Sequence, residues 1–150
     1  MSGLDGIFKA YDIRGTVPDQ LNAGVARSVG VAFARFARAE RILVGRDMRP
    51  SGIELTGAFA EGVTAAGVNV VDLGLTSTDE LYFAAGSLDA PGAMFTASHN
   101  PAGYNGIKLC LAGAAPVGEE SGLAEIKSMV AAGAQPTARG PGSVTTADVL

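Results

Sequence analysis

The stretch Ile42 to Leu73, ILVGRDMRPSGIELTGAFAEGVTAAGVNVVDL, decides the fold. Ile42-Leu43-Val44 is a short continuous apolar run, the pattern of a strand buried on both faces. Ser51 and Glu54 stand at capping-box spacing and predict a helix running to about Ala66. Leu55, Phe59, Val63 and Ala66 recur at helical spacing as its apolar face, and Gly67 supplies the C-terminal cap. Val68 to Leu73 reads as the next strand. Strands joined through a helix lie parallel, so this unit sets the direction of a sheet.

Working outward, Phe8 to Gly15 reads as a first strand and its exit turn. A helix over about Asn22 to Ala39 follows, with Val25, Val29, Phe33 and Phe36 as one stripe and Arg27, Arg35 and Arg38 off it. Downstream, Ser77 and Glu80 repeat the capping-box spacing before a short helix to about Leu88. Ala93 to Thr96 is a strand. Gly106 to Leu111 alternates, Ile107, Leu109 and Leu111 facing one way and Lys108 and Cys110 the other. Glu120 to Ala132 reads as a last helix with Leu123, Ile126 and Val130 inward. The order β-α-β-α-β-α-β-β-α predicts a three-layer α/β/α domain with a mostly parallel sheet. A sharp reversal of the fifth strand near Asn105-Gly106 makes that sheet mixed.

From Gln135 to Ser143 the composition changes to that of a linker, with Pro136, Gly140, Pro141 and Gly142. Thr145 to Leu150 reads as the opening turn of a helix that the sequence does not finish. The expected division is a domain over 1–134, then a linker and the truncated start of a next domain over 135–150.

The 150 residues suffice for one domain with a real core. Hydrophobic residues make up 47% and charged residues 17%, a globular composition, and the 21 glycines imply many tight turns. The net charge of -4 argues against a nucleic-acid partner. Cys110 is the single cysteine, so neither a disulfide framework nor a cysteine-based zinc site can be built, which fits a reducing cytoplasm. Met1 to Asp5 has no signal-peptide pattern. No segment reaches the roughly 18 uninterrupted apolar residues of a membrane span, so no membrane partner is expected.

Three segments combine charge with hydrogen-bonding side chains. Thr96-Ala97-Ser98-His99-Asn100-Pro101 holds the only histidine, and presents a serine hydroxyl on a loop at the end of a buried strand. His99 is either a proton-transfer group or an orienting one. Gly45-Arg46-Asp47-Met48-Arg49-Pro50-Ser51 leaves the end of a central strand, where α/β ligand crevices lie. Arg46 and Arg49 either recognise phosphate there or form a structural pair with Asp47. Phe8 to Gly15 carries Tyr11 and Arg14, which either reach a site at the sheet edge or, respectively, pack and pair with Asp12. Lys108 is either an exposed strand lysine or a cation for a serine-borne phosphate, whose charge is about -1.5 to -2. A serine hydrolase is the weaker reading: the G-x-S-x-G elbow is missing, and the sole histidine is the serine's sequence neighbour. A binding domain without chemistry is the other alternative.

FKAYDIRG, GRDMRPS, TASHNP and YNGIK, in that order, resemble the N-terminal domain of the α-D-phosphohexomutases. The YDIRG form is similar to the phosphomannomutase/phosphoglucomutase branch. The resemblance runs from about Gly6 to Val130 and implies a phosphoglucomutase-like first domain. It makes Ser98 a phosphoserine that exchanges its phosphoryl group with hexose 1- and 6-phosphates of mannose or glucose through a hexose 1,6-bisphosphate. It implies Mg²⁺ on the Ser98 phosphate. Tyr11, Arg14, Asn100, Arg46 and Arg49 are expected to bind substrate or phosphate, and Ser98, His99, Lys108 and Arg14 to serve catalysis. The family's DGDxDR metal loop and GEMSG sugar loop do not occur in these 150 residues. The remaining metal ligands, the sugar clamp and a distal phosphate site are therefore expected from later domains, with this chain the first of four and inactive alone.

Overall fold

The computed structural model describes residues 4–135 and 141–147. Of the expected linker, Pro136 and Gly140 lie outside the described residues, as do Asp148 to Leu150 of the expected helix start. The elements are α1 (Leu4–Ile7), β1 (Ile13–Thr16), α2 (Ala23–Ala37), β2 (Arg41–Arg46), α3 (Gly52–Ala65), β3 (Asn69–Leu75), α4 (Thr78–Leu88), β4 (Gly92–Phe95), β5 (Tyr104–Leu111), β6 (Ala115–Pro116), α5 (Ala124–Ala131) and β7 (Val144–Thr146).

The sheet order is β1-β5-β4-β2-β3-β7, with β6 beside β5. β2 pairs parallel with β3 and β4, and β3 with β7. β5 is antiparallel to β1, β4 and β6, so it alone runs against the rest. The result is the expected mixed, mostly parallel sheet. Ile42 and Val44 join the core under α2, α3 and α5, whereas Leu43 joins a second core under α4. That is the two-sided burial the apolar run predicts. The helices α2 and α3 cross at two glycines. A β-carbon at Gly30 would overlap the Phe59 carbonyl, and one at Gly62 the Arg27 carbonyl, so the backbones touch where larger residues would hold them apart. Phe59 fills the space beside this crossing, edge-on to Phe95 at 5.3 Å between ring centroids.

Several expectations are corrected. Phe8 to Asp12 is not strand: Phe8 makes a single bridge to Ile13 over a turn closed by the Lys9 N–H and the Asp12 carbonyl at 2.8 Å. The buried Leu4 and Ile7 belong to the short α1, which the sequence pattern did not reveal. Ser51 is helical (φ -74°) and caps nothing. Asn105 and Gly106 lie inside β5, and the reversal falls earlier, between Phe95 and Tyr104. Gly106 serves close approach instead, because its β-carbon would sit 2.5 Å from the Ile13 carbonyl oxygen and 2.8 Å from that of Thr96. The last helix is broken into a π-helical turn, Glu119–Leu123, and α5. Gly122 adopts φ +148° there, and the Phe36 ring leaves no room for a side chain, so both the backbone and the packing call for glycine. Val144 to Thr146 adds a parallel edge strand to β3, where a helix start was expected over Thr145 onward.

Candidate active site

All strands but β5 end at the same edge of the sheet. Arg46 of β2 and Phe95 of β4 are in register, so the chain leaves both strands side by side. The Asp47 N–H donates to the Phe95 carbonyl at 3.0 Å, and the Thr96 N–H to the Gly106 carbonyl at 3.0 Å. The β2 exit, the β4–β5 loop and the start of β5 are thus stitched into one rim.

The loop presents Ser98 and His99 to solvent. Ser98 sits at φ +51°, in the left-handed region that costs an L-residue about 1–2 kcal/mol. Strain of this kind persists only where surrounding contacts impose it. Those contacts are visible. The Ser98 N–H donates to Thr96 Oγ1 at 3.0 Å, and that hydroxyl donates to Asp47 Oδ2 at 2.7 Å. The Ser98 carbonyl accepts from Arg49 Nη2 at 2.7 Å. The Asn100 N–H closes a turn onto the Ala97 carbonyl at 3.0 Å. His99 makes no hydrogen bond to Ser98 among the described residues, which removes the orienting contact that a serine–histidine pair requires.

Beside this loop lies a cation pair built on one acid. Asp12 is 6% exposed and accepts from Arg14 Nη2 at 2.6 Å and from Lys108 Nζ at 3.3 Å. The β1–β5 register sets Ile13 against Ile107, so one step outward brings Asp12 opposite Lys108. The Arg14 Nη1 reaches over to Asn100 Oδ1 at 2.8 Å and ties this cluster to the Ser98 loop. Arg14 Nε is buried and has no partner among the described residues. Two cations on one carboxylate leave the cluster with an excess positive charge. Burial raises the Tyr82 phenol above its ordinary value, with Cys110 and Asp12 adding to the effect, which sets Tyr82 near the same cluster. Burial likewise pushes the Cys110 thiol up to about 11, so it is a core group and no nucleophile at neutral pH.

The structure therefore brings Ser98, His99, Asn100, Arg14, Lys108 and Arg49 together. Tyr11 lies against Gly118 and is 80% exposed. Arg46 turns away from the loop, under the start of α3, its Cδ 3.3 Å from where a Gly52 β-carbon would be. The sequence offered Asp12 as a partner for Arg14 and Asp47 as a partner for Arg49, and both ion pairs form. It did not single out Thr96, whose role depends on Asp47, far along the chain. Asp12 and Asp47 are both held by cations, and no group of three or more His, Cys, Asp or Glu side chains converges among the described residues. Mg²⁺ usually takes carboxylates besides phosphate. The described side chains alone do not fit it.

The comparisons agree with this architecture. The family model for the phosphoglucomutase/phosphomannomutase alpha/beta/alpha domain I matches residues 5–137. The chain belongs to that family. A phosphohexose mutases protein of Xanthomonas campestris pv. campestris is 46% identical over 126 residues, which cover 83% of this chain and 28% of that protein. A phosphomannomutase of Klebsiella pneumoniae is 42% identical over 123 residues, 81% of this chain and 78% of the relative. The crystal structure of a Burkholderia thailandensis phosphoglucomutase/phosphomannomutase family protein superimposes with a TM-score of 0.86 at 41% identity, covering 95% of this chain and 33% of that one. The chain thus spans under a third of the Xanthomonas relative, and 28% of the phosphomannomutase of Escherichia coli K12. Among the described residues, no helix is long and apolar enough to cross a membrane.

Proposed function

We propose that this chain is the phosphoserine-bearing domain of a hexose-phosphate mutase, acting on mannose or glucose 1- and 6-phosphates. The observation that carries the reading is Ser98, held in a left-handed conformation at an exposed loop tip beside the Arg14–Lys108 pair. In the forward half-reaction the bond between phosphorus and Ser98 Oγ breaks. A bond to a hydroxyl oxygen of the hexose monophosphate forms, and the hydroxyl proton ends on Ser98 Oγ. The product is the hexose 1,6-bisphosphate. In the return half-reaction the other phosphoryl group passes to Ser98. Catalysis of this kind is positioning plus charge neutralisation. Arg14 and Lys108 neutralise charge on the transferring group. Asn100 orients Arg14, and His99 stands beside Ser98 on the exposed loop.

Mg²⁺ enters this proposal only through the Ser98 phosphate, with its carboxylate ligands contributed from outside the described residues. Sugar recognition likewise belongs to further domains, a reading supported by the chain's short span of its longer relatives. Ser98→Ala, made in the protein that carries this domain, is expected to abolish interconversion of mannose 1- and 6-phosphate and of the glucose pair in a coupled assay. Retained turnover overturns the assignment. Full turnover by these 150 residues alone overturns the part that makes further domains necessary. The competing reading of a binding domain without chemistry requires that Ser98→Ala leave ligand binding and all measured turnover unchanged.

A further inference from the structure

We infer that Arg49 is a positioning residue, a guanidinium clamp that holds the Ser98 loop in its presenting conformation, and not a substrate-phosphate ligand. The inference rests on the mutase reading for its kinetic consequences, but the clamp itself is a matter of geometry. An arginine has five N–H donors in a fixed fork. Here every one is engaged. Nε donates to Asp47 Oδ2 at 3.2 Å. Nη1 donates to the carbonyls of Pro101 at 2.7 Å and Tyr104 at 3.1 Å. Nη2 donates to the carbonyls of Ser98 at 2.7 Å and Asn100 at 2.9 Å. The side chain is 9% exposed. No donor and little surface remain for a phosphate, which decides between the two roles left open for this arginine.

The consequence concerns Ser98 directly. A residue's φ and ψ are fixed when the peptide planes on both sides of it are fixed. The plane before Ser98 is tied through its N–H to Thr96 Oγ1, and Thr96 is tied to Asp47. The plane after Ser98 is tied through its carbonyl to Arg49, which is also tied to Asp47. Both planes are therefore referred to one carboxylate on the end of a central strand. This closed circuit holds a serine at φ +51° against the roughly 1–2 kcal/mol preference for right-handed backbone. It also turns the Ser98 carbonyl inward, which leaves the His99 N–H of the same trans peptide pointing outward. Lysine cannot replace the clamp. Its ammonium is one point with three donors and cannot span carbonyls from 98 to 104.

Arg49→Lys tests this with two readouts. The first is kinetic, in the protein that carries the domain. Misplacement by about 1 Å can cost about 100-fold in rate. A fall in kcat of about that size is expected, with KM within about threefold. The second is read in the 150-residue chain itself and uses His99, its only histidine, whose imidazole C2 proton gives a single NMR line. That line is expected to broaden or split in Arg49→Lys as the loop samples several conformations. A raised KM at unchanged kcat would make Arg49 a substrate ligand and overturn the proposal. An unaltered His99 line with kcat within threefold of the parent overturns it too. If Ser98→Ala keeps its turnover, the mutase reading fails, and the His99 line alone still decides the clamp. If Arg49→Lys does not fold, Thr96→Val cuts the other tie on Ser98. An expected tenfold or greater loss of kcat at constant KM supports the circuit, and an unchanged kcat overturns it.

Discussion

Two helices in this domain begin with the same local pattern and end up differently. Ser77 stands three residues before Glu80, and Ser51 three before Glu54. At α4 the pattern does what its spacing predicts. Ser77 Oγ accepts the Glu80 N–H at 3.0 Å, and Glu80 Oε1 accepts the Ser77 N–H at 2.9 Å. At α3 neither bond forms, and Ser51 Oγ instead accepts from Asn105 Nδ2 at 2.9 Å. No hydrogen bond links the α4 start to the Ser98 loop among the described residues, whereas the α3 start follows directly on the Arg49 clamp. Where the chain has only a helix to begin, local satisfaction prevails. Where it also has a loop to hold, side chains are drawn into contacts between distant segments, and the local pattern yields.

The largest effect that can test this difference is at Asn105. Its side chain is fully buried, gives one N–H to Ser51 and accepts the Gly106 N–H at 2.8 Å. Asn105→Ala is expected to destabilise the domain by about 2 kcal/mol in urea unfolding, the scale for unsatisfied buried polar groups. A change below about 0.5 kcal/mol would mean that the Asn105 contact does not hold Ser51 out of its cap.

Next come the serines themselves. Ser77→Ala removes an N-cap and is expected to cost about 1 kcal/mol. Ser51→Ala is expected to cost a similar amount for a different reason, the loss of the acceptor for a buried amide. Double-mutant cycles separate the two. Ser51 and Asn105 are expected to couple by about 1 kcal/mol, and Ser77 and Asn105 not at all. Equal coupling in both cycles would erase the distinction between the two helix starts.

This contrast also explains how much could be read from residue order. The element string, the two-sided burial of Ile42 to Val44 and the capping box at Ser77 depend on periodicity and near neighbours, and sequence displays both. The loop with Ser98, and Arg14 and Lys108 as its company, were legible as motifs. What stayed hidden depends on partners far along the chain. Asp12 becomes a hub only because β5 runs back beside β1 and brings Lys108 opposite it. Arg49 becomes a clamp only because the ends of β2 and β4 are neighbours. Phe8 and Thr145 depart from their expected states for a related reason. A four-residue turn and a three-residue edge strand are too short to carry a period, and their state is set by the sheet they meet.

The smallest effect is the sharpest discriminator, because it compares two glutamates at equivalent helix positions. Both lie in a first turn, where a carboxylate gains about 0.3–1 kcal/mol from the helix dipole. Glu80 also accepts from the Ser77 N–H and from Thr76 Oγ1 at 3.3 Å, whereas Glu54 is exposed and makes no hydrogen bond among the described residues. Substituting glutamine removes the charge but keeps an acceptor of the same reach. Glu54→Gln and Glu54→Ala should therefore shift thermal unfolding equally, apart from small propensity differences. Glu80→Gln should retain most of the box, and Glu80→Ala should cost about 0.5 kcal/mol more than Glu80→Gln. If alanine and glutamine are equivalent at position 80 as they are at 54, the reciprocal bond at Ser77 contributes nothing, and the two helix starts differ in geometry but not in energy.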